Sequence, residues 1–334
     1  MSAPSQDSGS ERSLVWGNYW QHGALHSLPT SYAGNYRGAV ANFWTSVGSQ
    51  LSHEQRLLDI GTGNGSLPSL FHAVLGRDCP RIDAIDLADK LSPAWHQALP
   101  AESRNRIVFH PGTQAEKLPF PDGSFDLVCS QYGVEYSDLP AALAEASRVL
   151  GSHSRLALVM HHAQSRLVEV AREELKWSTW LSGEDTFLHK ARSLYPWLAL
   201  AAAGRQSELM HNAQANAARA AFNQAQVEMA RAIESSPAPD LLHDARDLVA
   251  SHIDAILSAR ADADAAIQSS LEWQAAIRMS AFRQQELIAH ALDEEAFNRL
   301  QDQLKGLSLH IDHAQPLSED DGMLMGWSLI AHRG

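Results

Sequence analysis

The chain has 334 residues, enough for one large domain or two ordinary ones, and 45% of them are hydrophobic, which excludes bulk disorder. Its formal net charge of −13 argues against a nucleic-acid-binding protein, which needs a basic face. Cys79 and Cys129 are far apart in the sequence and predict neither a disulfide framework nor a cysteine zinc site. No apolar run approaches the ~18 residues that span a bilayer. Residues 1–13 also lack the apolar segment of a secretory signal. We therefore expect a soluble, cytoplasmic protein.

The N-terminal region combines a polar tail with an aromatic-rich segment. Residues 1–13 are small and polar and are predicted to be disordered, whereas residues 14–50 carry many aromatic side chains and are predicted to be helical. This segment is either a helix pair packed on a sheet or a lid over a ligand, and the sequence leaves both open. His22 and His26 have the spacing of a metal-ligand pair, but no third ligand is evident, so no metal site is predicted.

The most informative stretch is residues 57–65, which read LLDIGTGNG. A short apolar strand leads into three glycines at alternate positions, and apolar residues at helical spacing follow. Glycine adopts positive φ and lets a ligand approach the backbone, and a helix N-terminus offers free N–H groups. The spacing is not the G-x-G-x-x-G fingerprint, which disfavours a nicotinamide dehydrogenase. A glycine-rich turn in another kind of α/β protein remains an alternative.

Strands and helices then alternate along the chain, as expected for a parallel α/β sheet. The strands after the first are predicted at residues 81–85, 107–110, 125–130 and 155–160, with a C-terminal hairpin at residues 307–313 and 323–332. Asp138 is a plausible N-cap for a helix that runs to Leu150. Between the fifth strand and the hairpin, residues 164–305 have helical periodicity and no strand-like run.

Two motifs resemble the class I S-adenosylmethionine (SAM) methyltransferases, in particular the branch that acts on small molecules. They are Asp59-x-Gly61-x-Gly63-x-Gly65 and the segment A-E-K-L-P-F-P-D-G-S-F-D at residues 115–126. The resemblance implies an α/β fold with a seven-stranded, mostly parallel sheet, an antiparallel last strand and a large helical insertion between strands 5 and 6. The implied divisions are a disordered tail (1–13), a helical lid (14–50), a SAM-binding Rossmann-like domain (51–163 and 306–334) and a helical insertion (164–305).

The resemblance also implies SAM as the cofactor and S-adenosylhomocysteine as the product. Asp59 would hold the ammonium group of SAM above the glycine turn, Asp86 the ribose hydroxyls, and Leu87 the adenine. The family usually has Asp where this chain has Gln114, so the adenine contact differs in kind. Tyr32 and Tyr36 lie four residues apart and are expected to face the cofactor. The full expected set is Asp59, Gly61, Thr62, Gly63, Gly65, Asp86, Leu87, Gln114, Ala115, Ser130, Gln131, Tyr32 and Tyr36.

The loop after the fourth strand should flank the transferred methyl group, because ligands bind beyond the carboxyl ends of the strands. Ser130-Gln131-Tyr132-Gly133 lacks the prolines of the enzymes that methylate amino groups of DNA bases or protein glutamine. The expected catalytic candidates are Tyr132, Glu135, His161 and His162. A histidine or carboxylate would act as general base where the acceptor loses a proton. The alternative for the two histidines is a solvated or hydrogen-bonded loop pair.

We expect a small-molecule acceptor, methylated on O, N or C in a reaction of secondary metabolism, with neither a nucleic-acid nor a membrane partner. Two alternatives stay open: a protein or RNA acceptor, and a protein that binds SAM without turning it over. The helical insertion is expected to be an acceptor-selecting cap, a homodimer interface, or both.

Overall fold

The computed structural model describes residues 6–27 and 34–334. These residues form two compact units: one comprises the described residues up to 168 together with 286–334, and the other comprises residues 169–285. Among the described residues, no helix is both long and apolar enough to cross a bilayer.

The first unit contains a seven-stranded sheet in the order β3-β2-β1-β4-β5-β7-β6. Its strands are β1 (Arg56–Ile60), β2 (Arg81–Asp86), β3 (Ile107–Pro111), β4 (Phe125–Gln131), β5 (Leu150–Met160), β6 (Leu309–Ser318) and β7 (Leu324–Arg333). Strands β1 to β5 pair in parallel, whereas β7 is antiparallel to both of its neighbours, β5 and β6. This topology confirms the fold class predicted from the sequence.

Helices surround the sheet and connect its strands. In the first unit they are α1 (Gln6–Gln21), α2 (Gly38–Gly48), α3 (Ser66–Leu75), α4 (Ala94–Gln97), α5 (Ala101–Arg104), α6 (Leu139–Val149) and α13 (Glu294–Gly306). Asp138 caps α6 as predicted, because its carboxylate accepts a hydrogen bond from the Ala141 N–H at 3.1 Å.

Apolar side chains on both faces of the sheet explain why its central strands read as nearly continuous hydrophobic runs. On one face Trp44 and Phe71, from α2 and α3, pack in a cluster with Leu57 of β1. On the other face Leu143 of α6 and Leu304 of α13 pack in a cluster with β-strand residues. The sheet is therefore covered by apolar packing on both of its faces.

The N-terminal prediction needs correction. The disordered tail expected over residues 1–13 was wrong for residues 6–13, which form the first half of α1. The Ser13 hydroxyl donates to the Leu87 carbonyl at 3.1 Å, and Arg12 bonds to Glu286 and to the Tyr136 carbonyl. These tertiary contacts stabilise a polar segment that has no apolar face of its own. The second helix begins at Gly38 and ends at Gly48, inside the range expected.

The second unit is entirely helical. It contains α8 (Phe187–Ala202), α9 (Gln206–Leu209), α10 (Ala213–Ser235) and α11 (Asp240–Leu257), with most of α7 (Arg166–Ser182) and α12 (Ala263–His290). Its core includes Phe187, Phe222 and Val249. The compact helical unit comprises fewer residues than the insertion predicted at residues 164–305. The difference arises mainly because α13 packs against the sheet and so belongs to the first unit.

Candidate functional site

A cleft lies at the carboxyl ends of β1, β2 and β4, entirely within the sheet-containing unit. It contains about 860 Å³ of empty space, part of it open to solvent. Of the residues singled out from the sequence, Tyr36, Gly61, Thr62, Asp86, Leu87, Gln114, Ala115, Gln131 and Tyr132 line it.

The glycine turn between β1 and α3 needs glycine for two reasons. Gly61, Gly63 and Gly65 have φ values of 71°, 54° and 81°, which side chains disfavour. Close neighbours also fill the space that a side chain would need. A Cβ on Gly61 would lie 2.8 Å from the Gly133 Cα, and one on Gly63 would lie 2.6 Å from the Trp20 ring. Gly61 lines the cleft, whereas Gly63 and Gly65 shape the turn behind it.

Asp86 ends β2 and faces both the turn and the cleft. One carboxylate oxygen accepts from the Gly63 N–H and the other from the Ala88 N–H, both at 2.8 Å. Each oxygen keeps a second lone-pair position for a ligand hydroxyl. Burial raises the pKa of Asp86 to about 6. The side chain therefore fixes the turn and presents acceptor oxygens to the cleft at neutral pH.

Buried polar atoms that lack hydrogen-bond partners among the described residues lie beside the turn. They include Nε2 of Gln131, whose Oε1 accepts from the Trp44 indole N–H, and Oδ2 of Asp59, whose carboxylate the neighbouring Thr62 hydroxyl also approaches. Such atoms are rare in folded proteins and each costs ~1–3 kcal/mol. Asp59 is 1% exposed and lies at the end of β1, next to the residues that line the cleft. One acceptor and one donor are thus available for a ligand that carries both kinds of group.

The titration of Asp59 should be visible in the stability of the ligand-free protein. Burial raises the pKa of Asp59 from 3.8 to about 7, so between these pH values the folded chain holds a proton that the unfolded chain releases. The Asp59 contribution to the free energy of unfolding should fall as pH rises through that window, whereas the buried His161, with its lowered pKa, contributes in the opposite direction below about pH 6.5. Urea unfolding at pH 5, 6, 7 and 8 measures the fall.

The Asp59→Asn variant supplies the control, because its side chain cannot titrate. Burial raises the pKa of Asp86 to about 6 and of Glu135 to about 7, so these two acids retain a slope of the same sign. His161 contributes in the opposite direction in both chains, so the quantity to compare is the difference between them: the original chain should lose stability relative to Asp59→Asn as pH rises from 5 to 8. A slope identical to that of the original chain would contradict the assignment to Asp59.

Among the four catalytic candidates, Tyr132 lines the cleft. Its backbone is left-handed, with φ of 51°, and its hydroxyl donates to the Met325 carbonyl at 3.0 Å. Its ring stacks on His161 with 4.2 Å between ring centroids and 2° between planes. A bulky residue held at positive φ is unusual, and such strain is common at functional sites.

His161 and Glu135 lie behind Tyr132 and are not among the residues that line the cleft. The Glu135 Oε1 accepts from the His161 backbone N–H at 2.9 Å. Burial lowers the pKa of His161 to about 3 and raises the pKa of Glu135 to about 7. Both ring nitrogens of His161 and the Glu135 Oε2 have no hydrogen-bond partner within the described ranges. His161 is therefore neutral at physiological pH.

Two of the remaining predicted residues, His162 and Ser130, make contacts within the protein that hold the structure together. His162 stacks on Trp327 at 4.2 Å, and its Nδ1 accepts from the Gln164 N–H, away from the cleft. The Ser130 hydroxyl donates to the Ile60 carbonyl at 2.8 Å and accepts from the Val134 N–H at 2.9 Å, which fixes the loop. Tyr32 lies outside the described residues. Within residues 6–27 and 34–334, no three His, Cys, Asp or Glu side chains are grouped as metal ligands.

Helix α1 contributes lining residues that the sequence did not single out. Trp16 and Trp20 stack on each other at 5.6 Å, and Trp16 meets Tyr136 edge-on at 6.0 Å. The aromatic load of residues 14–50 was the signal for these walls. Arg12 also lines the cleft, and no sequence signal pointed to it, because it lies in the polar tail.

Comparison with known proteins identifies the domain. Residues 58–158 match the family model of a methyltransferase domain. An uncharacterized methyltransferase, YcgJ of Bacillus subtilis, is 36% identical over 111 residues, which cover 33% of this chain and 42% of that protein. The ubiquinone/menaquinone biosynthesis C-methyltransferase UbiE of Teredinibacter turnerae is 29% identical over 157 residues, 45% of this chain and 63% of that protein.

The chain spans about half the length of the curated relatives it matches. Among solved structures, the 1,6-didemethyltoxoflavin-N1-methyltransferase of Burkholderia thailandensis has a TM-score of 0.48 at 11% identity, covering 100% of this chain and 93% of that one. With the observed topology, the family match makes residues 58–158 a methyltransferase domain of the class I, SAM-dependent kind, as the resemblance of the two motifs indicated.

Proposed function

We propose that this protein is a SAM-dependent methyltransferase that methylates a small-molecule acceptor and releases S-adenosylhomocysteine. The observation that carries the proposal is the buried Asp59 carboxylate, which no cationic side chain of the described residues pairs with, beside a glycine turn that itself lines a cleft. A buried acceptor of this kind suits the ammonium group of an amino-acid ligand.

The residues present fit the cofactor along its whole length. Asp59 would hold the ammonium group, the Gln131 amide N–H the carboxylate, and Asp86 the ribose hydroxyls. Leu87, Gln114 and Ala115 would contact the adenine, with the Gln114 amide in place of the more usual carboxylate. The cofactor supplies a methyl group already activated on a cationic sulfonium. Aromatic faces attract cations, and Trp16, Trp20, Tyr36 and Tyr132 supply them in the cleft.

For such a donor the protein's main tasks are to align the acceptor with the methyl group and to exclude water. Alignment can supply ~7–11 kcal/mol of the barrier. Of the four candidate residues, Tyr132 contacts the cleft, whereas His161 is neutral, buried and behind it. This arrangement favours an acceptor that needs no histidine base. The roles of Glu135, His161 and His162 stay predictions.

The acceptor is proposed to be a small molecule. The cleft lining includes Arg12, Asp86 and Glu116 and has no run of basic side chains among the described residues, which argues against an RNA acceptor. Several relatives are named as C-methyltransferases of ubiquinone/menaquinone biosynthesis, which supports a small-molecule acceptor. Acceptor selection or dimerisation by the helical insertion remains a prediction, as does a role in secondary metabolism.

Calorimetric titration tests the cofactor assignment directly. We expect SAM and S-adenosylhomocysteine to bind with dissociation constants in the micromolar range or below, and NAD not to bind. If neither sulfur ligand binds, both the methyltransferase and the non-catalytic SAM-binding alternative are wrong. Binding of NAD instead would revive the dehydrogenase.

A further inference from the structure

Asn64, the one side chain of the glycine turn that carries an amide, is the hub of a buried hydrogen-bond cluster. It is 1% exposed. Its Nδ2 donates to the Trp20 carbonyl at 2.8 Å and to the Ala24 carbonyl at 2.7 Å. Its Oδ1 accepts from the Ser92 N–H at 2.7 Å. The backbone carbonyl of Asn64 accepts from the Trp95 indole at 2.7 Å. The amide group thus ties the turn to the C-terminal end of α1.

Helix α1 depends on such contacts for its position. Its sequence, QDSGSERSLVWGNYWQ, contains two glycines and many polar residues, and each internal glycine costs ~1 kcal/mol relative to alanine. Isolated helices of this length are marginal in water even with favourable sequences. The helix nevertheless supplies Trp16 and Trp20 to the cleft, and the Trp20 ring occupies the space in front of Gly63. The contacts that hold α1 in place therefore also determine the shape of the cleft.

Side-chain hydrogen bonds from several parts of the first unit hold α1, and the bond from the Asn64 amide joins it to the glycine turn. Ser13 bonds to the Leu87 carbonyl, and Arg12 bonds to the Tyr136 carbonyl and to Glu286. Asn64, by contrast, belongs to the turn itself, three residues after Gly61 and one before Gly65. Its side chain reaches α1 only while the turn holds its present conformation.

We propose that Asn64 is a positioning residue that docks α1 onto the glycine turn and so couples formation of the aromatic wall to cofactor binding. The inference rests on the proposed function, because its main consequence is a change in cofactor affinity. Coupling between two events is reciprocal: if a docked α1 strengthens cofactor binding, the bound cofactor stabilises docked α1 by the same factor.

The Asn64→Asp variant tests the coupling. It keeps the size of the side chain and the acceptor for the Ser92 N–H, but it turns a carboxylate oxygen toward two carbonyl oxygens that now receive a hydrogen bond. Hydrogen exchange of the whole chain should show roughly tenfold lower protection of the α1 amides, with β4 and β5 unchanged. Titration should show S-adenosylhomocysteine binding roughly tenfold more weakly. In the original chain, this ligand should raise α1 protection.

The Tyr195→Phe variant is the control for general destabilisation. It removes a buried hydrogen bond to His252, 3.1 Å long, inside the helical unit. It should bind S-adenosylhomocysteine like the original chain. An equal loss of affinity in this control would overturn the inference, as would Asn64→Asp loosening β4 and β5 together with α1. The inference would also be overturned if Asn64→Asp lowered the protection of the α1 amides but bound S-adenosylhomocysteine with unchanged affinity.

The two proposals fail in different ways. If the original chain does not bind S-adenosylhomocysteine, the proposed function is wrong, and the exchange of the ligand-free proteins then decides the docking role alone. Unchanged protection of α1 in Asn64→Asp overturns that role whatever the ligand result.

Discussion

The Gly61→Ala substitution should abolish S-adenosylhomocysteine binding and destabilise the fold. The new Cβ would lie 2.8 Å from the Gly133 Cα, and both contacting atoms belong to backbone segments fixed by β1 and β4. A φ of 71° adds ~1–2 kcal/mol for any residue with a side chain. We expect a loss on the order of 3–5 kcal/mol in the free energy of unfolding. Urea unfolding and calorimetric titration measure the two effects.

Gly204→Ala is the matched control for that experiment. Gly204 has φ of 77°, but a Cβ there would meet nothing within 4 Å. The free energy of unfolding of Gly204→Ala should fall only by the ~1–2 kcal/mol that a side chain costs in the left-handed conformation, and this variant should bind the ligand normally. If Gly61→Ala were no worse than this control, the close approach of Gly133 would not matter for the site.

The Asp86→Asn substitution should weaken S-adenosylhomocysteine binding by roughly a hundredfold or more. Hydrogen bonds to a charged group contribute ~1.5–3 kcal/mol each, and the ribose would lose the carboxylate acceptor. The amide NH₂ would also face the N–H of either Gly63 or Ala88, which now donate to the carboxylate, so the glycine turn would loosen as well. Titration at neutral pH, beside a thermal melt, separates affinity from stability.

Asp83→Asn on the same strand controls for the loss of a buried acid. Asp83 is 2% exposed and pairs with Arg56 and His110 at 2.8 Å each, but it does not line the cleft. This variant should lower the melting temperature and leave the dissociation constant unchanged. If both variants bound S-adenosylhomocysteine equally weakly, the proposed contact between Asp86 and the ligand would be wrong.

The fold and the cofactor side of the site could be predicted because their signals are local. Gly61, Gly63 and Gly65 sit within five residues of each other, and their positive φ values follow from the turn that the spacing predicts. Asp86 directly follows the strand predicted at residues 81–85, and in a parallel sheet that position fixes the edge it reaches; the resemblance implies its role toward the ribose. The antiparallel β7 came from the family resemblance, which the pairing with β5 confirms.

The rest could not be read from the sequence, because it depends on tertiary contacts. Helix α1 has no apolar periodicity, and its stability comes from partners such as Leu87 and Asn64 that are far away along the chain. His161 directly follows β5, as a cleft base would, yet its ring lies under Tyr132. The stacking of the His161 ring on Tyr132 goes with the left-handed backbone of Tyr132. A tyrosine in a sequence does not predict positive φ, so this arrangement could not be foreseen.

The position of β7 also governs how the protein can fold during synthesis. Residues Leu156 to Met160 of β5 are fully buried, and β7 pairs along their whole length. The ribosome, at ~5–20 residues per second, makes all of residues 169–285 before β7 emerges. Throughout that interval the edge of β5 that faces away from β4 has no partner strand, and an open apolar edge is the kind of surface that recruits strands from other chains. The time taken to translate the helical unit therefore adds to the aggregation risk of the nascent chain, and lengthening that unit would increase it.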